Sequence, residues 1–95
     1  MLRHIVLFKL KDRQPEKVAK AKEKLLTLAG RVPQLRSLEV GVDIIHAERS
    51  YDLALLATFD SIADMQAYQA HPNHIEVGEY MRGVYETIVS VDYEK

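Results

Sequence analysis

The sequence predicts one α+β domain of the ferredoxin-like type, in which a βαββαβ chain folds into a four-stranded antiparallel sheet with its helices on one face. Three observations support this fold class. Short β-branched and aromatic runs alternate with helical segments in that order, and the length of 95 residues allows one domain. The predicted strands are also apolar on both faces, so the sheet needs a second copy of the chain to cover it.

The first half of the chain is predicted to form strand, helix and strand. Residues 4–11 read HIVLFKLK, a β-branched and aromatic run too short for a helix. Pro15 suits the first turn of a helix, and the helical spacing covers 16–29, with Gly30 placed for a left-handed cap. Alternating apolar residues predict a second strand over 35–44. The buried face of the helix is predicted to carry Val18, Ala21, Leu25 and Leu28.

The second half repeats this plan with an interrupted helix. Residues 52–59 read DLALLATF and form the third predicted strand. Ser61, with an acidic residue three positions later, is typical of a helix N-cap. Pro72 interrupts the helix, a short helix is predicted over 73–81, and the fourth strand over 85–93. The inner helical face is predicted to carry Ile62, Met65 and Tyr68, and one face of the fourth strand Tyr85, Thr87, Val89, Val91 and Tyr93.

Strand alternation predicts that one sheet face has no cover within the chain. Right-handed crossovers place both helices on the same face. In the first strand, His4, Val6 and Phe8 point to one face, and Ile5 and Leu7 point to the other. An open apolar face is an interaction surface, and a second copy about a two-fold axis is its simplest partner. We therefore expect a homodimer through this face; the alternative is that the terminal segments of the chain cover it.

The composition excludes several classes of function. The chain has 13 Lys and Arg against 14 Asp and Glu, so it has no excess of positive charge for nucleic acid or for an acidic membrane surface. It has no cysteine, which excludes disulfides, thiolate metal sites and a cysteine nucleophile. No apolar run approaches the roughly 20 residues that span a bilayer, and no secretory signal is visible. A cytoplasmic protein is the expectation.

The chain resembles the stress-responsive α/β-barrel domain family over essentially its whole length. The most specific parts of the likeness are the Tyr-x-x-His-Pro-x-His motif and the histidine of the first strand. The resemblance implies a homodimer whose two sheets pack face to face into a dimeric α/β barrel. The family includes polyketide-cyclase-like enzymes and plant proteins associated with stress. The residues that carry the resemblance read RHIVLFKLKD (3–12), VP (32–33), LEVG (38–41), YDLALLATF (51–59), AYQAHPNH (67–74) and VDYEK (91–95).

The resemblance implies a candidate site around the interrupted helix. In cyclase-like members, the tyrosine and last histidine of the motif act together in an aldol-type ring closure. Carried over to this chain, Tyr68 polarises a carbonyl and His74 is the general base. Placement at a helix start lowers the pKa of a histidine, which suits His74 for that role. The remaining predicted site residues are substrate-binding: His4, Val6, Phe8 and His71.

Purely structural roles for the tyrosine and the histidines stay open beside this catalytic hypothesis. A half-buried tyrosine commonly anchors a helix to a sheet, and a histidine before proline, such as His71, commonly caps the following helix. Three imidazoles (His4, His71 and His74) suggest a metal site, but Pro72 puts the last two in different local conformations, and we expect no metal and no cofactor. Two functions are carried forward: a dimeric small-molecule-binding protein with cyclase- or lyase-like acid–base chemistry, and a non-catalytic dimeric structural or partner-binding domain.

Overall fold

The computed structural model describes residues 1–95 and contains four strands and three helices. None of the helices has the length and apolar character needed to cross a membrane. The predicted order of elements is confirmed, with the interrupted helix present as two helices that meet at His71 and Pro72. The elements are β1 (Leu2–Leu10), α1 (Pro15–Leu26), β2 (Ser37–Val42), β3 (Leu53–Phe59), α2 (Ile62–Ala70), α3 (Pro72–Val84) and β4 (Tyr85–Glu94).

The four strands form one antiparallel sheet in the order β2-β3-β1-β4. This is the ferredoxin-like arrangement, with β1 and β3 in the centre and the helices packed on one face. The buried side chains of β1 alternate with less buried ones, as do those of β3. The core lies between this face and the helices, and its most completely buried large side chains are Leu10, Leu28, Leu53, Phe59 and Tyr68.

Helix α1 ends earlier than predicted, so it contains three of the four residues predicted for its buried face, and the fourth, Leu28, is buried just beyond its end. Its α-helical part stops at Leu26 rather than at residue 29. The backbone N–H groups of Thr27, Leu28, Ala29 and Arg31 each bond to the carbonyl three residues back, the tighter pattern in which α-helices often end. Gly30 then takes the predicted left-handed conformation, with φ of 75°, but it follows these tighter turns and is not the cap of α1, which is Thr27.

Local hydrogen bonds explain the shorter β2. The strand covers Ser37–Val42 rather than 35–44. The Asp43 carboxylate accepts the backbone N–H of His46 at 2.7 Å, which turns the chain immediately after Val42. Ile44, predicted to lie in the strand, is 83% exposed in this turn.

Two side chains lie on a different face from the one predicted. Ile62 is the first residue of α2 and is 59% exposed, so it does not belong to the inner face. Tyr85 does not share a face with the alternate residues that follow it in β4. An irregularity in the β1–β4 pairing places Tyr85 opposite Leu10, while Thr87 pairs with Lys9. This bulge adds one residue to β4 and turns Tyr85 toward the helices.

The sheet face opposite the helices has no cover within the chain. We call it the outer sheet face. The chain termini hydrogen-bond to each other, Met1 with Lys95, at the paired ends of β1 and β4. They therefore leave the centre of the face open. Its apolar residues lie side by side on β3, β1 and β4 according to the strand register and comprise Ile5, Leu7, Ala54, Leu56, Val89, Val91 and Tyr93.

Candidate functional site

A cavity of about 290 Å³ lies between the sheet and the helices α2 and α3. Strand β1 contributes alternate side chains to its floor, because residues two apart share a face. Tyr68 lies near the end of α2, and His74 lies in the first turn of α3. The structure thus brings five of the six predicted site residues to one cavity: His4, Val6, Phe8, Tyr68 and His74.

Tyr68 and His74 lie against each other in the cavity wall. Their ring centroids are 4.4 Å apart, and the ring of Phe59 lies 4.9 Å from that of Tyr68 on the core side. The break at Pro72 produces this contact, since it lets α3 start in a new direction and return His74 to the ring of Tyr68. Ser61 fixes the start of α2 by accepting the Asp64 backbone N–H at 3.1 Å.

The hydroxyl group of Tyr68 has no hydrogen-bond partner in the protein. The side chain is among the most buried of the chain, and burial alone raises its pKa to about 12. Gln34 carries the one fully enclosed side-chain polar atom without a partner, so the phenol oxygen borders open space. A buried hydroxyl group nearly always has a partner, and a water molecule or a ligand in the cavity would provide it.

The surroundings of His74 favour the neutral form of its imidazole. Burial lowers the pKa of its imidazole; a hydrogen bond with the backbone of Gln69 raises the pKa in part, and the nearby His4 lowers it again. The position of His74 at the helix start predicted a lowered pKa, but the main cause of the lowering is loss of solvent around the imidazole. A neutral imidazole beside a neutral phenol combines a base with a hydrogen-bond donor.

His4 is fixed by a carboxylate that the sequence analysis did not identify. Its Nδ1 bonds to the carboxylate of Asp92 on β4. The two residues are direct neighbours in the β1–β4 register, and His4 is 7% exposed. This bond fixes the position of the imidazole, whose ring lies 6.4 Å from that of Tyr68 between centroids, with the two ring planes nearly perpendicular. The register of the two strands was the signal that could have revealed this partner.

His71 does not line the cavity. Its Nδ1 accepts the backbone N–H of Asn73 at 3.1 Å, so the side chain caps α3 at its N-terminus. Of the two roles left open for this residue, the structure places it in the cap. His4, His71 and His74 do not converge, and no group of three or more His, Asp or Glu side chains is arranged to hold a metal ion.

Comparison with known proteins identifies the family. The family described as "Stress responsive A/B Barrel Domain" matches residues 2–95. The chain belongs to this family. The match covers nearly the whole chain, as the resemblance of the sequence implied, and it includes both the first-strand histidine and the Tyr-x-x-His-Pro-x-His motif.

Relatives of the chain include one protein named as an enzyme. The chain is 33% identical to an uncharacterized protein of Streptomyces coelicolor, over 99% of both chains. It is 26% identical to olivetolic acid cyclase of Cannabis sativa, over 97% of this chain and 94% of the cyclase. A crystal structure from Bacteroides fragilis, described as a dimeric protein of unknown function with a ferredoxin-like fold, has a TM-score of 0.85. It is 32% identical to this chain and matches 99% of it and 95% of that protein.

The cavity also contains residues that the sequence analysis did not predict. The helical spacing from His74 places Gly78 and Arg82 one and two turns further along α3, and both line the cavity. Tyr85 joins them because of the bulge in β4, and its ring lies 6.1 Å from that of Phe8. The four-residue spacing from His74 could have predicted Gly78 and Arg82. No sequence pattern could have predicted the bulge that places Tyr85 in the cavity.

Proposed function

We propose that this member of the stress-responsive A/B barrel family is a homodimer that binds a small organic molecule in the cavity and performs cyclase- or lyase-like acid–base chemistry with Tyr68 and His74. The unpaired hydroxyl of Tyr68 beside the neutral imidazole of His74 is the observation that carries this proposal. The likeness to olivetolic acid cyclase over almost the entire chain supports it.

His74 and Tyr68 suit a reaction through an enolate, in which one group removes a proton and the other stabilises the charged oxygen. His74, held neutral by burial, accepts a proton from the carbon next to a substrate carbonyl. The phenol of Tyr68 stays protonated at neutral pH and donates a hydrogen bond to the carbonyl oxygen, where negative charge develops. Attack of the enolate carbon on a second carbonyl forms the new bond, and the resulting alkoxide takes up the proton that His74 had accepted. His4, oriented by Asp92, lines the same floor.

The outer sheet face supports the proposed dimer. Leu7 is 37% exposed, Val91 54% and Tyr93 42%, although each lies within the sheet. Packing this face on the same face of a second copy buries it about a two-fold axis and gives a dimeric barrel. The dimeric protein from Bacteroides fragilis, of similar fold and 32% identity, supports this assembly.

A non-catalytic dimeric domain is the second candidate function, and one observation favours it. Tyr68 has an exposed fraction of 0%, and its ring lies between those of Phe59 and His74. A tyrosine in such a position contributes much to the packing between helix and sheet. In this case the cavity has no catalytic role, and the residue only anchors α2.

Tyr68→Phe separates the two functions. The substitution removes a hydroxyl group that has no protein partner, so the melting temperature should stay the same or rise. Stabilisation by small carbonyl ligands, measured as a thermal shift across a compound panel, should fall because their hydrogen-bond donor is lost. The matched control is Tyr80→Phe on α3, because Tyr80 does not line the cavity. A variant that keeps the full ligand response, or a wild-type protein that no compound stabilises, would favour the non-catalytic domain.

A further inference from the structure

One face of α3 presents three residues to the cavity at intervals of four. They are His74, Gly78 and Arg82, and positions four apart stack along a helix. The guanidinium of Arg82 folds back over Gly78, so that a Cβ atom built on the glycine would lie 3.9 Å from Arg82 Nη2. This stripe runs from the proposed base to the mouth of the cavity, beside Ser90 and Ile88 of β4.

Arg82 provides the only permanent charge in the cavity wall. None of the 16 lining residues is an aspartate or a glutamate. Arg82 has no carboxylate partner and no hydrogen bond within the chain, whereas Arg13 and Arg36 each pair with an aspartate. The acidic groups of β4 are engaged elsewhere: Asp92 bonds to His4, Glu86 lies 3.5 Å from Lys9 and Glu94 lies 2.8 Å from the amino terminus. Glu79, on the same helix as Arg82, forms no ion pair with it. The guanidinium is therefore available to an anion.

Packing does not explain why the residue beneath the Arg82 guanidinium, Gly78, is a glycine. Gly78 lies in the interior of a helix that covers Pro72–Val84, where glycine is less favourable than any residue except proline. A Cβ atom at this position would meet nothing closer than Arg82 at 3.9 Å, an ordinary contact. The missing side chain leaves space in the cavity wall directly below the guanidinium, which is where a group bound to Arg82 would lie.

We propose that Gly78 and Arg82 bind the carboxylate group of the ligand, whose apolar body occupies the cavity toward Phe8 and Leu55. This inference rests on the proposed ligand-binding function and adds the chemical class of the ligand. The planar guanidinium matches a carboxylate with two parallel hydrogen bonds. A singly charged group suits the position better than a phosphate, because Arg82 lies in the last turn of α3, where the helix dipole is negative.

The test compares phenylpropanoate with the neutral phenylpropanol, which has the same apolar body. Dissociation constants measured by NMR titration at neutral pH should be roughly tenfold lower for the acid, because its hydrogen bonds to Arg82 are charge-assisted. Arg82→Gln should remove the difference between acid and alcohol. Gly78→Ala should weaken binding of the acid about fivefold through crowding at the carboxylate, whereas Gly83→Ala, the matched helix substitution outside the cavity wall, should not.

The possible results separate this inference from the proposed function. Equal affinity of the wild-type protein for acid and alcohol, or an acid preference that survives Arg82→Gln, overturns the carboxylate site and leaves the cavity as a ligand site. Binding of neither compound counts against ligand binding in the cavity and removes the basis of both proposals. Equal effects of the two alanine substitutions would show that Gly78 acts through helix stability alone.

Discussion

Leu7→Asp is expected to convert the proposed homodimer into a monomer of 10.9 kDa. Leu7 lies on the central strand β1, paired with Ala54 on one side and Val89 on the other. In the proposed dimer, this position is at the centre of the interface. A carboxylate buried there without a partner has a large desolvation cost, so association should weaken by several orders of magnitude.

Light scattering after size exclusion at micromolar concentration measures this effect. The wild-type protein should have twice the chain mass, and Leu7→Asp the mass of one chain. Ile62→Asp is the matched control, because Ile62 is also an exposed apolar residue but lies on α2, away from the outer sheet face. This control should remain dimeric. A wild-type monomer, or a Leu7→Asp dimer, would contradict the proposed interface.

Asp52→Ala is expected to lower the free energy of unfolding by about 3 kcal/mol, because it leaves the buried backbone N–H of Leu10 without a partner and removes the ion pair with the half-exposed Arg13. Asp52 is 4% exposed. Its carboxylate accepts the backbone N–H of Leu10 at 2.8 Å and Nε of Arg13 at 2.9 Å. It therefore joins the end of β1 to the loop before α1, and the substitution leaves a buried N–H without a partner.

Thermal unfolding at one fixed protein concentration tests this prediction, because dimerisation makes the melting temperature depend on concentration. For a domain of this size, the expected loss corresponds to roughly 15 °C. Asp60→Ala is the control: Asp60 pairs with Arg36 at 2.5 Å, but both side chains are exposed, and exposed pairs contribute little. Similar losses in both variants would show that the burial of Asp52 has no special importance.

The sequence predicted the fold well, and also which residues lie on each face of the sheet, because both depend on simple periodicities. Alternation in β1 placed His4, Val6 and Phe8 on the helix side, and these residues line the cavity. Pro72 indicated the helix break that brings Tyr68 and His74 together. These features are local, so a pattern of a few residues is enough to reveal them.

The remaining features depend on contacts between distant segments. The bond between His4 and Asp92 joins residues 88 apart in sequence and requires the β1–β4 register. Tyr85 turns toward the cavity because of a bulge that no residue pattern announces. The exposure of Ile62 depends on where α2 meets the sheet, and helical spacing alone could not give that position.

Under the proposed function, ligands bind in the cavity between the sheet and the helices α2 and α3, and not on the outer sheet face. A second cavity, of about 410 Å³, does lie on that face beside Arg3 and Glu39, where the proposed dimer would cover it. The most direct measurement is a ¹⁵N–¹H NMR screen of the wild-type protein with small carbonyl and carboxylic compounds. We predict that the largest shift changes fall on the backbone amides of Tyr68, His74 and Gly78. Changes confined to Arg3, Glu39 and their neighbours, or no binding at all, would contradict the claim.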